Sequence, residues 1–498
     1  MAYQIHTGRC EDVLKTLPAD SVDALVTDAP YGLTDDLDKN TLKEVLLHWL
    51  NGEEYAHKGG GFMGRKWDSF VPSPAIFEEA LRVLKPGAWC AVFAGSRTQD
   101  LMTLSLRLAG FDVKDVGMWL YGTGFPKSLN IAKAIRAALG TDTPEWEDFG
   151  TALKPAYEPF ILCRKPLSGT YVQNIVNYGV GALNIGASRI STDESLAGGA
   201  GALLSDVRDG SLPEGIEWIP AAGGRWPANI LHDGSDEVVN LFPAQAGAAA
   251  PVKGTEPSAA GDGMVYGLRA RVKTYFHGDQ GSAARFFYCA KVSKNERDIG
   301  MERFVPVTAS DMTGGRKEGS AGINDPRAGA GRTAGAKNPH PTVKPISLMQ
   351  YVCRLVTPPG GTILDMFMGS GSTGCAAVGS EFGFIGIEMN PDDCVTAAAR
   401  IGHVYKNGLA PQPEPQSPKK RKDKAERQDT AADDLPVSKV WSAEVNQAFA
   451  SIPGATAIPE HLQSKLRANI NRLLLDGRNL SEVICTVSGL VASMEARA

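Results

Sequence analysis

Gly361-Thr362-Ile363-Leu364-Asp365-Met366-Phe367-Met368-Gly369-Ser370-Gly371-Ser372-Thr373-Gly374 reads as a short buried strand running into a glycine-rich turn and the start of a helix near Thr373. Its last six residues fit G-x-G-x-x-G, in which glycines let the backbone approach a ligand closely at a helix N-terminus. A second strand, Phe384 to Glu388, follows, and its closing acid lies 19 positions after Gly369. A carboxylate there accepts hydrogen bonds from ribose hydroxyls. Strand, turn and acid together point to a ligand carrying adenosine, a group that dinucleotides and S-adenosylmethionine share. The bland alternative is a tight strand-to-helix turn with no ligand.

Upstream, the runs Val22 to Thr27, Ala88 to Gly95, Val116 to Tyr121 and Pro159 to Cys163 are apolar enough for buried strands. Helical patterns lie between them, such as Pro74 to Leu84, stopped by Lys85-Pro86-Gly87. This alternation predicts an α/β fold with a parallel, doubly wound sheet. From about residue 168 to 337 Gly, Ala and Ser dominate and helical periodicity fades. Between Gly267 and Pro345 there are 14 Lys/Arg against 7 Asp/Glu, in a chain whose net charge is −5. Such asymmetry fits a face that meets a polyanion, or else a solvated loop. Residues 411–437 read as a flexible linker containing Lys419-Lys420-Arg421-Lys422, and residues 438–498 as a small helical unit with Leu462, Leu466, Ile470 and Leu473 to Leu475 at helical spacing.

Composition narrows the class. The 498 residues are 43% hydrophobic and 21% charged, enough for a large core and two or three domains. No stretch approaches the roughly 18 apolar residues of a membrane helix, and Met1 to Cys10 lacks the apolar core of a secretory signal. Eight cysteines sit singly, without Cys-x-x-Cys pairs or clustering with His, so neither a disulfide framework nor a metal site is expected, and a cytoplasmic setting fits.

At the end of the first strand stands Asp28-Ala29-Pro30-Tyr31, at the sheet edge where α/β sites lie. An acid, a main-chain carbonyl and an aromatic ring are what methylation of an exocyclic amino group of a base requires. The nitrogen lone pair is delocalised into the ring. Asp28 and the Ala29 carbonyl can accept its two protons and stabilise positive charge as the methyl arrives. Tyr31 can stack on a base swung out of the duplex. Alone, the tetrapeptide also reads as an Asp-Pro turn with a core Tyr.

A third element, Asn338-Pro339-His340-Pro341-Thr342-Val343-Lys344-Pro345, leads into a helix from Ile346 to Leu355 and then into the glycine-turn strand. Together the three motifs resemble the β group of DNA amino-methyltransferases, in which an Asp-Pro-Pro-Tyr type motif comes first, target recognition sits in the middle, and His-Pro-Thr-x-Lys-Pro precedes the cofactor motif. Gly61 to Asp68, Leu84 to Gly87, Tyr121 to Ser128, Leu153 to Pro159, Gly224 to Asn229 and Ser282 to Tyr288 look like the phage- and prophage-borne orphan branch. The resemblance runs from about residue 3 to 405.

It implies a circularly permuted Rossmann-like methyltransferase core made of residues 1–167 (catalytic half) and 338–410 (cofactor half), with a loop-rich target-recognition domain inserted at 168–337. It implies S-adenosylmethionine as cofactor, with no metal, and double-stranded DNA as substrate. A homodimer and a cytoplasmic, nucleoid-associated protein are further expectations. Asp28, Ala29, Pro30 and Tyr31 match the catalytic motif. Asp365, Phe367, Gly369, Ser370 and Gly371 match the cofactor loop, Glu388 the ribose acid, and Thr342 and Lys344 the segment closing over the methionine moiety. Arg269, Arg271, Lys273 and Arg285 are candidate phosphate contacts, and Trp67 and Asp68 either shape the target pocket or pack.

The acid-led motif favours adenine N6; cytosine N4 and a catalytically impaired DNA-binding relative are the alternatives. A ring-carbon cytosine methyltransferase would need a Pro-Cys nucleophile, which the chain lacks. A dehydrogenase would leave Asp-Ala-Pro-Tyr unexplained. Three residues depart from the group. Ala29 replaces a proline, Met366 and Met368 make the expected cofactor wall bulkier, and Arg9 stands where an acid that would contact adenine is common.

Overall fold

The computed structural model describes residues 3–32, 37–57, 68–124, 128–192, 224–244, 282–290, 294–308, 335–409 and 443–452, with residues 470 and 484. The chain divides into two units, Met1–Lys419 and Lys420–Ala498. The second contains the helix Ala443–Ala450, in which Ala448 and Phe449 are buried, as is Ile452 just after it. Ile470 is helical and buried. The linker 411–437, Leu462, Leu466 and Leu473 to Leu475 lie outside the described residues.

The first unit is built on a nine-stranded sheet. Its strands are β1 (Tyr3–Thr7), β2 (Val22–Asp28), β3 (Leu84–Phe93), β4 (Asp112–Leu120), β5 (Tyr157–Arg164), β6 (Ile230–His232), β7 (Tyr288–Cys289), β8 (Thr362–Asp365) and β9 (Gly383–Glu388). They lie side by side in the order β1-β9-β8-β2-β3-β5-β4-β6-β7. The late strands β8 and β9 thus fall between β1 and β2, with Ala24 opposite Ile363 and Tyr3 opposite Phe384. Short β6 and β7, from within residues 168–337, continue the same sheet beyond β4.

Alternate side chains of the central strands feed two core layers. Val22, Leu25, Cys90, Val92 and Leu364 pack on one face against the helices Cys10–Thr16, Pro74–Val83 and Gln99–Leu108. Ala24, Val26, Ala91, Phe93 and Ile363 pack on the other against Ile346–Val356, Ser372–Val378 and Pro391–Asn407. No helix among the described residues is long and apolar enough to cross a membrane.

One expectation needs correction. The sheet is mixed, because β5 runs antiparallel to both β3 and β4. A parallel return needs a crossover element packed on the sheet. The helix joining β4 to β5, Ile131–Leu139, buries only Ala132 and leaves Leu139 exposed, so the chain turns back beside β4. β5 is nonetheless apolar on both faces, which is why its composition reads as a parallel core strand. Lys85-Pro86-Gly87 follows the end of the helix as expected, and it lies within β3. The helix ends at Val83 and β3 starts at once; residues 85–88 bulge out between the pairs Val22–Leu84 and Ala24–Trp89, with Gly87 at φ +80°.

Gly117 on β4 lies under the Phe160 ring of β5, where an added Cβ would come within 2.0 Å of the ring. Gly117→Ala is expected to lose ~1–3 kcal/mol of stability, measured by chemical denaturation.

Candidate active site

β2, β8 and β9 all end at one edge of the sheet, and their last residues are Asp28, Asp365 and Glu388. The Thr27 hydroxyl donates to Asp365 Oδ1 at 2.6 Å, which ties the two motifs together across 338 residues. Antiparallel β5 enters at this same edge, and so its second residue, Glu158, faces Asp28.

Asp28, Tyr31, Lys344 and Glu158 form one cluster. The Lys344 ammonium donates to Asp28 Oδ2 at 2.6 Å and to the Tyr31 hydroxyl oxygen at 2.9 Å, and pairs with Glu158 Oε2 at 3.0 Å. The Tyr31 hydroxyl lies 3.0 Å from both Asp28 Oδ1 and Glu158 Oε2. Lys344 also sits 5.2 Å from the ring centres of Tyr31 and Phe93. Burial raises the Asp28 carboxyl above the usual range; Lys344 opposes that shift and Glu158 adds to it. Burial alone would lower the Lys344 ammonium, but the two carboxylates outweigh it and hold the lysine charged. The Tyr31 hydroxyl is pushed well up by burial and by both acids.

The turn after Asp28 is held from outside. Asp68 Oδ1 accepts the backbone N–H of Tyr31 at 2.7 Å and of Gly32 at 3.1 Å, and Thr98 donates to the Tyr31 carbonyl at 2.5 Å. Gly32 has φ +61°, and a Cβ there would come within 2.7 Å of the Val71 backbone. Asp68 is therefore a support of this loop, a role that reading it as pocket or packing did not reach. Its neighbour Trp67, with residues 61–66, lies outside the described residues.

The second group is the glycine turn. Gly369 and Gly371 have φ +52° and +83°. A Cβ on Gly369 would meet the His340 ring at 2.9 Å, and one on Gly371 would press on Ala397 and Ile401 at 3.0 Å. Glu388 accepts the N–H of Gly369 at 2.9 Å and of Asn390 at 2.8 Å. Each of its oxygens keeps a lone pair for a further donor. Burial raises Glu388 above the usual carboxylate range despite these backbone donors. Asp365, 1% exposed, also accepts the Phe367 N–H at 3.2 Å, yet burial pushes it up to about 6. A buried acid with neutral donors only suits a cationic partner such as an amino acid's ammonium group, and Glu388 suits a diol. The donor set fits an adenosine–amino acid ligand.

A brace of residues not singled out in the sequence sets this turn. Arg400, fully buried, donates to the Ser370 carbonyl at 2.5 Å and to the Glu296 carbonyl at 3.1 Å. Arg297 donates to the carbonyls of Asn338 and His340, Asn338 Nδ2 reaches Ser370 Oγ at 3.0 Å, and Glu296 accepts the Ile346 N–H at 3.0 Å. A charged Arg400 on the helix face shared by Ala397, Ile401 and Val404 was the available signal.

Other expected residues fall elsewhere. Thr342 is exposed, its N–H 3.4 Å from His340 Nδ1, and Lys344 stands in the Asp28 cluster. Met366 and Met368 are buried in opposite core layers, so their bulk fills the core on each side of the sheet. Arg9 pairs at the surface with Glu11 at 2.7 Å. Arg285 is half-buried over Phe286, which Arg225 also faces. Arg269, Arg271 and Lys273 lie outside the described residues. Among the described residues no group of three His, Cys, Asp or Glu is arranged to hold a metal ion.

The family described as DNA methylase (N6_N4_Mtase) matches residues 22–399. The chain belongs to this DNA methylase family. It is 27% identical over 190 residues to the type II methyltransferase M.HindIII of Haemophilus influenzae, covering 34% of this chain and 61% of that protein. Over 52 residues it is 46% identical to M.BglI of Bacillus subtilis, covering 10% of this chain and 15% of that one. The chain thus spans less than two thirds of these curated relatives. Among solved structures, the M1.HpyAVI–SAM complex aligns over 80% of this chain and 99% of its own, at 14% identity and a TM-score of 0.32. The cytosine-N4-specific PvuII DNA methyltransferase aligns over 81% and 90%, at 11% and 0.33.

For this family member, Asp365 gives a testable pH signature. A carboxyl whose folded-state pKa is raised contributes its stability below the unfolded value near 3.9, and loses it as pH rises through about 6. Relative to wild type, ligand-free Asp365→Asn is expected to gain ~2–3 kcal/mol between pH 4 and pH 8, read by urea denaturation at each pH.

Proposed function

We propose that this DNA methylase family member transfers the methyl group of S-adenosylmethionine to adenine N6 in double-stranded DNA. The observation that carries the reading is the junction of the two motifs. Asp28 and Asp365 end adjacent strands and are joined through Thr27, so a base amino group on Asp28 and a cofactor on Asp365 would be neighbours. S-adenosylmethionine supplies an electrophilic methyl group on a sulfonium sulfur. Asp365 would hold its ammonium group, Glu388 its ribose hydroxyls, and the glycine turn at Gly369, Ser370 and Gly371 would admit it closely, with Phe367 against the adenine.

Asp28 and the Ala29 carbonyl would accept the two amino protons and stabilise the positive charge that grows on nitrogen. Pro30 shapes the turn, and the Tyr31 ring would stack on the extruded base. Asp28 in place of a serine is what favours adenine over cytosine. The strand order, with β8 and β9 between β1 and β2, supports a circularly permuted Rossmann-like core of residues 1–167 and 338–410. Residues 168–337 would then hold target recognition, with Arg269, Arg271, Lys273 and Arg285 toward phosphates. A cytoplasmic homodimer completes the reading.

The test is nucleoside mass spectrometry of genomic DNA treated with the protein and methyl-labelled S-adenosylmethionine. Wild type is expected to yield N6-methyladenine, and Asp28→Ala at least ~100-fold less, about 2.7 kcal/mol of transition-state stabilisation. N4-methylcytosine would keep the transferase and reverse the base assignment. Cofactor binding with no labelled nucleoside would favour a catalytically impaired DNA-binding relative. A second check concerns Asp365: cofactor affinity should weaken as pH falls through about 6, because the protonated acid no longer offers a charge to the ammonium group.

A further inference from the structure

The Asp28 cluster contains two carboxylates and one ammonium, and the donors are shared between the acids. Lys344 has three N–H bonds and three acceptors around it: Asp28 Oδ2, the Tyr31 oxygen and Glu158 Oε2. Tyr31 has one hydroxyl hydrogen and two carboxylate oxygens to receive it, each at 3.0 Å. It donates to one at a time. When that hydrogen points to Asp28, each Asp28 oxygen already accepts one donor, and the acid has less charge left for an amino group. When it points to Glu158, Asp28 Oδ1 is open, and no heavy atom has moved.

The charges lead to the same residue. At 2.6 Å Lys344 cancels Asp28, so the net negative charge of the cluster is that of Glu158. A charge-neutralised Lys344–Asp28 pair would be a weaker acceptor for amino protons and would offer little to a nitrogen becoming positive. We propose that Glu158 is a positioning residue of the transfer centre, the second carboxylate that takes the Tyr31 hydroxyl and the larger share of Lys344 when Asp28 receives the target amino group. The inference rests on the amino-transfer reading above and adds to it a residue that acts through Asp28. Glu158 reaches this edge only because β5 runs against its neighbours.

The test compares Glu158→Gln, Glu158→Asp, Lys344→Met and the double variant Glu158→Gln/Lys344→Met with wild type, all with methyl-labelled S-adenosylmethionine and genomic DNA. Wild type without transfer to DNA overturns the parent reading and is read first. With wild type active, Glu158→Gln is expected to lose at least tenfold in kcat while KM for the cofactor stays within twofold, which also reports an intact fold. Glu158→Asp keeps the charge and should retain more activity than the Gln variant. The double variant restores the single net negative charge of the cluster and should exceed Glu158→Gln in kcat several-fold. Wild-type kcat in Glu158→Gln, equal losses in the Gln and Asp variants, or a double variant whose loss is the product of the single losses would each overturn the proposal.

Discussion

The hydrogen bond from Thr27 to Asp365, 2.6 Å long and closed to solvent at both ends, is the constraint around which the site is arranged. It sits where β2 and β8 adjoin, and it fixes how the residue after Thr27, Asp28, stands relative to the acid that ends β8. Neither group tolerates burial alone: an unpaired hydroxyl or carboxylate in the interior costs free energy, and a shared hydrogen bond offsets part of that cost for both. The compensation is incomplete, and burial leaves Asp365 with a raised pKa. Strand pairing and the raised pKa of Asp365 thus meet at one hydrogen bond.

Around this junction the protein uses charge inwardly. Lys344 and Arg297 belong to the basic stretch whose surplus pointed to a polyanion, yet Lys344 is locked between two acids and Arg297 holds the backbone of Asn338 and His340. Arg400 does the same for the Ser370 carbonyl. Guanidinium groups suit this work because their rigid forks of donors satisfy several carbonyls at once. The turn at Gly369 to Gly371 is consequently set by side chains from three separate segments, as well as by its own glycines.

The strands and their ends were legible in the sequence because β2, β3, β8 and β9 are apolar on both faces and end on chemically distinctive residues. Asp28, Asp365, the glycines and Glu388 fall where their motifs placed them. Glu158 was not legible as a site residue, since reading β5 as parallel puts its first residues at the opposite edge. The orientation of β5 is decided by the poorly buried helix Ile131–Leu139, a tertiary fact that no local pattern carries. The contact of Lys344 with Asp28 was not legible for a related reason. Its motif precedes the glycine turn in the chain, but the segment runs past the end of β2 before the helix Ile346–Val356 begins. Asp68, Glu296, Arg297 and Arg400 act through backbone atoms, and backbone partners leave almost no trace in residue type.

The position of β8 also bears on how the chain is made. β2 finds its neighbour on one side, β3, about sixty residues later, but on the other side only after the Thr27–Asp365 separation of 338 residues. At a synthesis rate of ~5–20 residues per second that interval is roughly 20–70 s. Throughout it, the strand that ends in Asp28 presents an apolar, unpaired edge of the sort that recruits foreign strands. The nascent protein must therefore keep a half-sheet open for the better part of a minute, and the centre of its finished fold is among the last parts to close.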